Sequence, residues 1–357
     1  LNKLKPLFSF KDRYKQLCLP IFLLSTIPSI SQADPVNDTT TDPDNQSSMA
    51  NWVDDSHQSL TDTVHDIGEY LDESLAKDDD ESALTNRSYL RIRNRLSYSY
   101  RGKVDNDFKV YFKLDLPHVK RDWKLIIDSE PGDFDSLENK QRGIATGNKT
   151  TSGDTVGAFR LQDAHFGNWN SDFDIGIKLK LPLDPFTKMR FTRVDSISEN
   201  WTTQLEQQVF YYHSKGLGYL SALNGYYAIN PEHSKIFKTT TSAQYLKEDD
   251  KWELLQQFEL FHRYDDKILF EYSTGISADT GENKEVTNYW ISATWNKRIY
   301  KHWLYLGIRP QLEFPREYNY HANPGVMIEL EMFFSKKRKI DRLGRYIPKP
   351  TLPEPKK

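Results

Sequence analysis

The chain has 357 residues, a formal net charge of -3 at pH 7 and 13% aromatic residues, with a mean hydropathy of -0.72. This near-balance of charge excludes recognition of nucleic acid through bulk basic charge, and no apolar run reaches the roughly 20 residues that a membrane helix needs. Low hydropathy with abundant aromatics is awkward for a large soluble core and suits a closed sheet with a wet interior, whose membrane crossings are strands of about 9–11 residues.

At the N-terminus, Lys3, Lys5, Lys11, Arg13 and Lys15 precede an apolar run from Leu17 to Ile30, and Ser31-Gln32-Ala33 offers small residues at a cleavage point. This pattern predicts a secretory signal peptide over 1–33. Cys18 is the one cysteine, so the exported chain has no disulfides and depends on hydrogen-bond ladders and packing. Residues 34–50 are rich in Asp, Thr, Ser, Asn and Gln and read as a linker. From about 52 to 76, Trp52, Val53, Leu60, Val64, Ile67, Leu71 and Leu75 recur at helical spacing on an otherwise acidic segment, which predicts one amphipathic helix. Residues 34–87 are thus expected to form a periplasmic linker and helix, 88–334 a barrel, and 335–357 a basic tail leaving it as an extended periplasmic segment, with contact to acidic cell-wall polymers or to the acidic helix as the alternative.

From Ser88 the period becomes two, the signature of a half-buried strand. Leu90, Ile92, Leu96, Tyr98 and Tyr100 alternate with Arg91, Arg93 and Arg95. A one-residue slip exposing all three arginines to lipid would cost about 6–12 kcal/mol, at about 2–4 kcal/mol each near the bilayer midplane. The arginines therefore face the lumen. Phe108, Val110, Phe112 and Leu114 alternate with Lys109, Tyr111, Lys113 and Asp115, and a third strand holds Trp123, Leu125 and Ile127. The polar, Gly-rich stretch 130–155 shows no period and reads as the longest loop. Further strands are expected near 156–166, 172–181, 186–196, 202–213, 217–228, 236–246, 251–263, 267–278, 286–297, 302–313 and 324–334. The total is fourteen antiparallel strands, or twelve if the poorly alternating 156–166 and 186–196 fail to form. With the first strand starting in the periplasm, the long gaps 130–155, 279–285 and 314–323 fall on the external side, and the tight connections at 264–266 and 298–301 fall on the periplasmic side.

In the last strand, Ile328, Leu330, Met332 and Phe334 share the lipid-facing row, and Met327, Glu329, Glu331 and Phe333 share the other. Asn323, Gly325 and the alternating row closed by an aromatic resemble the C-terminal assembly signal of Gram-negative outer-membrane proteins. The run from Tyr300 to Pro310 with its leading Trp303, then Phe314-Pro315-Arg316-Glu317 and the terminal strand, resembles a group of uncharacterised outer-membrane proteins of Gammaproteobacteria. That similarity extends upstream to Trp52, and it implies an outer-membrane β-barrel without supplying an activity. The expected partners are outer-membrane lipids, the general barrel-assembly machinery and periplasmic chaperones, with cell-wall contact through the basic tail and no nucleic acid.

The candidate functional residues are the lumen-facing charges. Arg91, Arg93 and Arg95 on the first strand face Glu329 and Glu331 on the last, which must pair with it to close the barrel. Lys109, Lys113, Lys178 and Lys180 extend a basic wall, and Glu253, Glu259, Glu271 and Glu313 place acid on the C-terminal strands. Such a transverse field orients polar solutes in a pore. Trp123, Trp252, Trp295, Trp303, Tyr289 and Tyr305 are expected in interfacial girdles, with Trp303 and Tyr305 sharing the lumen-facing parity of Arg309. No metal-ligand spacing or phosphate-binding loop occurs, so no metal or cofactor is expected.

The leading reading is a non-enzymatic outer-membrane barrel, either a narrow or gated channel for small polar solutes or a structural envelope component. A lipid-modifying outer-membrane enzyme of the phospholipase or lipid A deacylase type is the alternative, with His213 or His165 as base. His213-Ser214-Lys215-Gly216 is similar to the His-x-Ser-x-Gly arrangement of outer-membrane phospholipase A but departs from it. Its His and Ser are adjacent, which on a strand would point them to opposite faces. A soluble periplasmic β-domain is the remaining alternative.

Overall fold

A computed structural model of the chain describes residues 43–75, 88–102, 104–115, 123–128, 132–142, 155–166, 168–179, 182–281, 285–336, 343 and 347–349. The expected signal peptide and Lys180 lie outside these residues. Helix α1 (Pro43–Leu75) is followed by β1 (Tyr89–Ser99), β2 (Asp105–Asp115), β3 (Trp123–Asp128), a 3-10 turn (Gly132–Phe134) and the short helix α2 (Leu137–Arg142). Then come β4 (Thr155–Phe166), β5 (Trp169–Leu179), β6 (Asp184–Ser196), β7 (Trp201–Tyr212), β8 (Gly216–Ala228) and β9 (Lys235–Leu246). The rest are β10 (Lys251–Arg263), β11 (Ile268–Asp279), β12 (Glu285–Tyr300), β13 (Leu304–Glu313) and β14 (Asn323–Phe334). All fourteen strands close one antiparallel barrel in chain order, with β14 returning to β1. Both strands that alternate poorly do form. In β4 the reason for the broken alternation is visible, because its register with β5 shifts between Leu161 and Ala164.

The alternation sorts the two faces in the inverse sense of a soluble sandwich. Ile175, Leu223 and Ile291 point outward and are half or more exposed, with many apolar neighbours also exposed, whereas Thr240, Ser242, Gln244, Gln257, Thr294 and Asn296 are buried inside. Hydrogen bonding explains the inversion. Closure leaves no free sheet edge, and the enclosed polar side chains bond one another, as Thr240 Oγ1 does in donating to Asn224 Oδ1 at 2.7 Å. Among the described residues no helix is long and apolar enough to cross a membrane.

β1 begins and β14 ends at the same rim, here the termini rim, and several expectations change there. The helix starts at Pro43, inside the stretch expected to be linker. By compactness the chain divides into Leu1–Trp52 and Val53–Lys357, so α1 from Val53 onward belongs with the barrel. His57 Nε2 lies 2.9 Å from the Phe333 carbonyl oxygen, and its ring stacks on Trp303 at 4.2 Å and on Phe334 at 4.8 Å. Asp54 pairs with Lys301 at 2.6 Å and Asp62 with Lys336 at 2.9 Å. Phe334 therefore ends the terminal strand under α1, 4% exposed, and does not face lipid as expected. Trp303, at 5%, is covered by the same ring and is not in a girdle.

The basic tail departs from the extended reading and makes the helix contact that is its alternative. Lys336 reaches the acidic helix, and Leu343, 1% exposed, packs inside the barrel with Phe333 and Tyr305, with Ile347 beside them. Finally, His213 and Ser214 fall in the turn between β7 and β8, not on a strand, so the opposite-faces argument does not apply to them. Ser214 is engaged in turn closure, with its N–H and Oγ donating to the two oxygens of Asp184 at 2.8 and 2.5 Å.

The His57 contacts make a specific expectation for the helix. Burial lowers the His57 pKa below the usual histidine value, opposed by the Phe333 backbone hydrogen bond. A neutral ring in the docked state stabilises docking above about pH 6.5, and that contribution is lost as the pH falls below it. His57→Ala removes two ring stacks worth about 0.5–1.5 kcal/mol each. It should speed limited proteolysis within α1 at pH 7 while leaving the heat-modifiable migration of the barrel unchanged.

Candidate functional site

The segment 132–142 follows β3 at the rim opposite the termini and turns into the lumen. Locally it is a helix start: Ser136 Oγ accepts from the Asn139 N–H at 3.3 Å, and the Lys140 N–H donates to the Ser136 carbonyl at 3.1 Å. Phe134 and Leu137 are its apolar contacts. Phe134 meets Phe210 and Tyr212 edge-on at 5.3 and 5.1 Å, and Leu137 packs among Leu220, Leu255 and Trp290. Two strand glycines permit this. A Cβ at Gly218 would sit 2.0 Å from the Phe210 ring, and one at Gly275 would sit 2.5 Å from the Trp290 ring.

Polar bonds to the wall complete the docking. Asp133 accepts from Lys188 Nζ and, at 2.8 Å, from the Tyr212 hydroxyl. The Leu137 N–H donates to Glu253 at 2.6 Å, and Glu138 accepts from Ser277 at 2.6 Å and from Asn288 at 2.7 Å. Arg142 is the hub: it pairs with Glu138, donates to Glu313 at 2.6 Å and lies 4.4 Å over the Trp290 ring. Its own carbonyl accepts from Arg309 Nη1 at 2.8 Å. Burial alone would raise the Asp133 pKa, but the charges of Lys188 and Lys140 and the bonds from Lys188 and Tyr212 outweigh it and hold the group at about 2. Lys140 is pulled down to about 8 by burial, Asp133 opposing and Lys188 reinforcing the shift.

Toward the termini rim, inward side chains turn apolar. Ile236, Phe261, Leu269, Tyr305, Phe333 and Leu343 form one cluster with Tyr226 and Ile347 against it. Between this floor and the 132–142 ceiling lies a cavity of about 360 Å³. Its wall includes Arg93, Arg95, Lys238, Glu259, Glu271, Arg309 and Glu329, and its ceiling Lys140 and Arg142.

The residues expected at the site divide accordingly. Arg93 stands opposite Glu331 and Arg95 opposite Glu329 across the β1–β14 ladder. Glu329 Oε2 accepts from Arg95 Nη2 at 2.7 Å and from Nε at 3.1 Å. Arg91 lies 3.8 Å from Glu331, and Asp107 of β2 stands 3.6 Å from Arg93 and 3.7 Å from Arg95. Glu259 holds Lys238 at 2.7 Å. Glu253 serves the ceiling, and Lys109, Lys113 and Lys178 do not line the cavity. Of the assembly residues, Gly325 pairs with Ser99 and Ile328 with Leu96, while Leu330 and Met332 oppose Asn94 and Ile92. Lys140, Arg142, Asp133 and Lys188 were not singled out from sequence. The available signal is Phe134 and Leu137, two apolar residues three apart on either side of the Ser136 cap in a largely polar loop.

No family model matches the sequence and no curated protein matches it, so the gammaproteobacterial resemblance rests on the segments that suggested it. Solved structures similar in shape include an anion-selective porin from Comamonas acidovorans, 8% identical, covering 70% of this chain and 99% of that one with a TM-score of 0.44. An outer-membrane-expressed OmpT of Vibrio cholerae is 6% identical and covers 72% and 100%, with a TM-score of 0.41. The KdgM porin in complex with disordered oligogalacturonate is 6% identical and covers 68% and 98%, with a TM-score of 0.32.

Proposed function

We propose that the chain is an outer-membrane β-barrel that admits small polar solutes, with segment 132–142 as the gate of a lumen closed at rest. The apolar outer face supports placement in a bilayer and disfavours a soluble periplasmic domain, because a barrel needs an outward apolar band only where lipid meets it. The observation that carries the gate is the charged chamber of about 360 Å³ beneath a ceiling that no strand supplies. A purely structural barrel gains nothing from a chamber lined by ionised groups, since a packed apolar filling avoids their desolvation. The termini rim would then face the periplasm and the 132–142 end the exterior.

Planar-bilayer recording of the full-length protein tests this, and the Asp133 carboxylate provides its lever. With a folded pKa of about 2 against an ordinary 3.8, Asp133 contributes stability to the docked ceiling above about pH 4, and that stability is lost as the pH falls through about 2. The amount is about 2 kcal/mol at 1.36 kcal/mol per unit. Open probability should therefore be low at pH 7 and rise on acidification of the external side toward pH 2. A silent membrane at every pH, with heat-modifiable protein incorporated, would leave the structural reading in possession.

A further inference from the structure

We infer that the chamber between the 132–142 ceiling and the apolar floor is a binding site for a small multivalent oxyanion, a carboxylate- or phosphate-bearing solute. This rests on the channel reading only for how the solute arrives; the site itself stands on its own geometry.

Each cation around the chamber can be followed to its acceptors. Arg95, Arg142 and Lys238 are neutralised by Glu329, by Glu138 with Glu313, and by Glu259. Arg309 is different. Its Nε donates to Thr294 Oγ1 at 2.9 Å and its Nη1 to the Arg142 carbonyl at 2.8 Å, both neutral acceptors. Lys140 likewise donates to the Asp133 backbone carbonyl at 2.6 Å and to Gln244 Oε1. Arg93 shares the Asp107 carboxylate with Arg95 at long range, and its Nε is buried with no acceptor among the described residues.

Three cations thus face one cavity with incomplete compensation: Arg93 shares Asp107 with Arg95, while Lys140 and Arg309 feel the nearby Asp133 and Glu271 charges but donate their hydrogen bonds to neutral acceptors. A buried donor left unmet is costly, and guanidinium groups match the planar, two-oxygen edge of a carboxylate or phosphate. The chamber volume of about 360 Å³ falls at the small end of ligand cavities, typically about 300–1,000 Å³. It suits a solute the size of a tricarboxylic acid. The low pKa of Lys140 fits a cation lacking full compensation, and a bound anion would supply it.

Calorimetric titration of the full-length refolded protein in detergent with citrate, with inorganic phosphate and with glucose tests the site. At least one anion should bind and glucose should not, and Arg309→Gln and Lys140→Gln should each weaken the anion by about tenfold or more, the scale of one charge-assisted hydrogen bond. Heat-modifiable migration reports that each variant is folded. If Arg309→Gln does not fold, Lys140→Gln, outside the strands, carries the test. The inference is overturned if neither anion binds, if glucose binds as well, or if the folded variants bind like the parent. Binding without conductance would remove the channel and keep the site; conductance without binding would remove only the site.

Discussion

If segment 132–142 gates the barrel as proposed, Arg142→Ala should give more frequent and larger conductance steps than the parent. Its guanidinium is 2% exposed, and its removal leaves Glu138 and Glu313 facing each other's surroundings without the cation they share. Breaking a buried ion pair from one side costs about 3–5 kcal/mol. A shift from 1:99 to 99:1 between docked and released states needs about 5.5 kcal/mol. One substitution therefore spans much of that range, and the Trp290 stack and the bond from Arg309 to the Arg142 carbonyl weaken with it. Arg142→Lys should fall between, since a point charge keeps one carboxylate partner but loses the fork that engages two. No strand changes, so the heat-modifiable band should persist. Unaltered conductance in Arg142→Ala would move the barrier to the Leu343 floor and end the assignment of 132–142 as gate.

The docked segment 132–142 leaves little trace in the sequence, unlike the strands. Strand ends were recovered to within a few residues because a period of two is written into each strand by its own side chains: Glu253 and Glu259 inward, Leu254 and Phe258 outward, with the penalty for a slip set by lipid. The seam was equally readable, since closure forces the first strand against the last and places Arg93 and Arg95 opposite Glu331 and Glu329. Helix α2 has six residues, too few for a hydrophobic period to register. The meaning of segment 132–142 lies in acceptors and donors contributed by β6, β7, β9, β10, β11, β12 and β13, none of them near it in sequence. Leu343 gives the same lesson: the scattered apolar residues of a basic, proline-bearing tail show no period, and only the apolar ring inside the rim gives Leu343 a place. Phe334 ends the strand as its pattern predicts but does not face lipid, because its cover, His57, lies 277 residues earlier and stacks from a helix whose own pattern shows a buried face without naming its partner.

Reversing the acids of the seam should impair closure more than reversing any comparable pair on the wall. Within the sheet every other strand pair is joined by a connection, so a weakened ladder is held in register by its own turn. β1 and β14 have no such tether; Arg95 and Glu329 are separated by 234 positions, and the loop entropy of closing that span precedes any reward from the contact. Both groups are buried, at 5% and 8% exposure. Replacing Glu329 and Glu331 together by arginine would set five arginines around Asp107 and the seam. The loss of the Arg95 pair alone costs about 3–5 kcal/mol. The expected result is a sharp fall in the heat-resistant, fast-migrating fraction after refolding, and a lower midpoint for what remains. Adding Arg93→Glu and Arg95→Glu restores opposite charges across the ladder, but it also turns two acids toward Asp107, which now stands 3.6 and 3.7 Å from the arginines. Rescue should therefore be partial, and completed by Asp107→Asn. If the doubly reversed acids refold like the parent, the charges across the seam are passengers and register is set by the outward row of Ile328, Leu330 and Met332 alone.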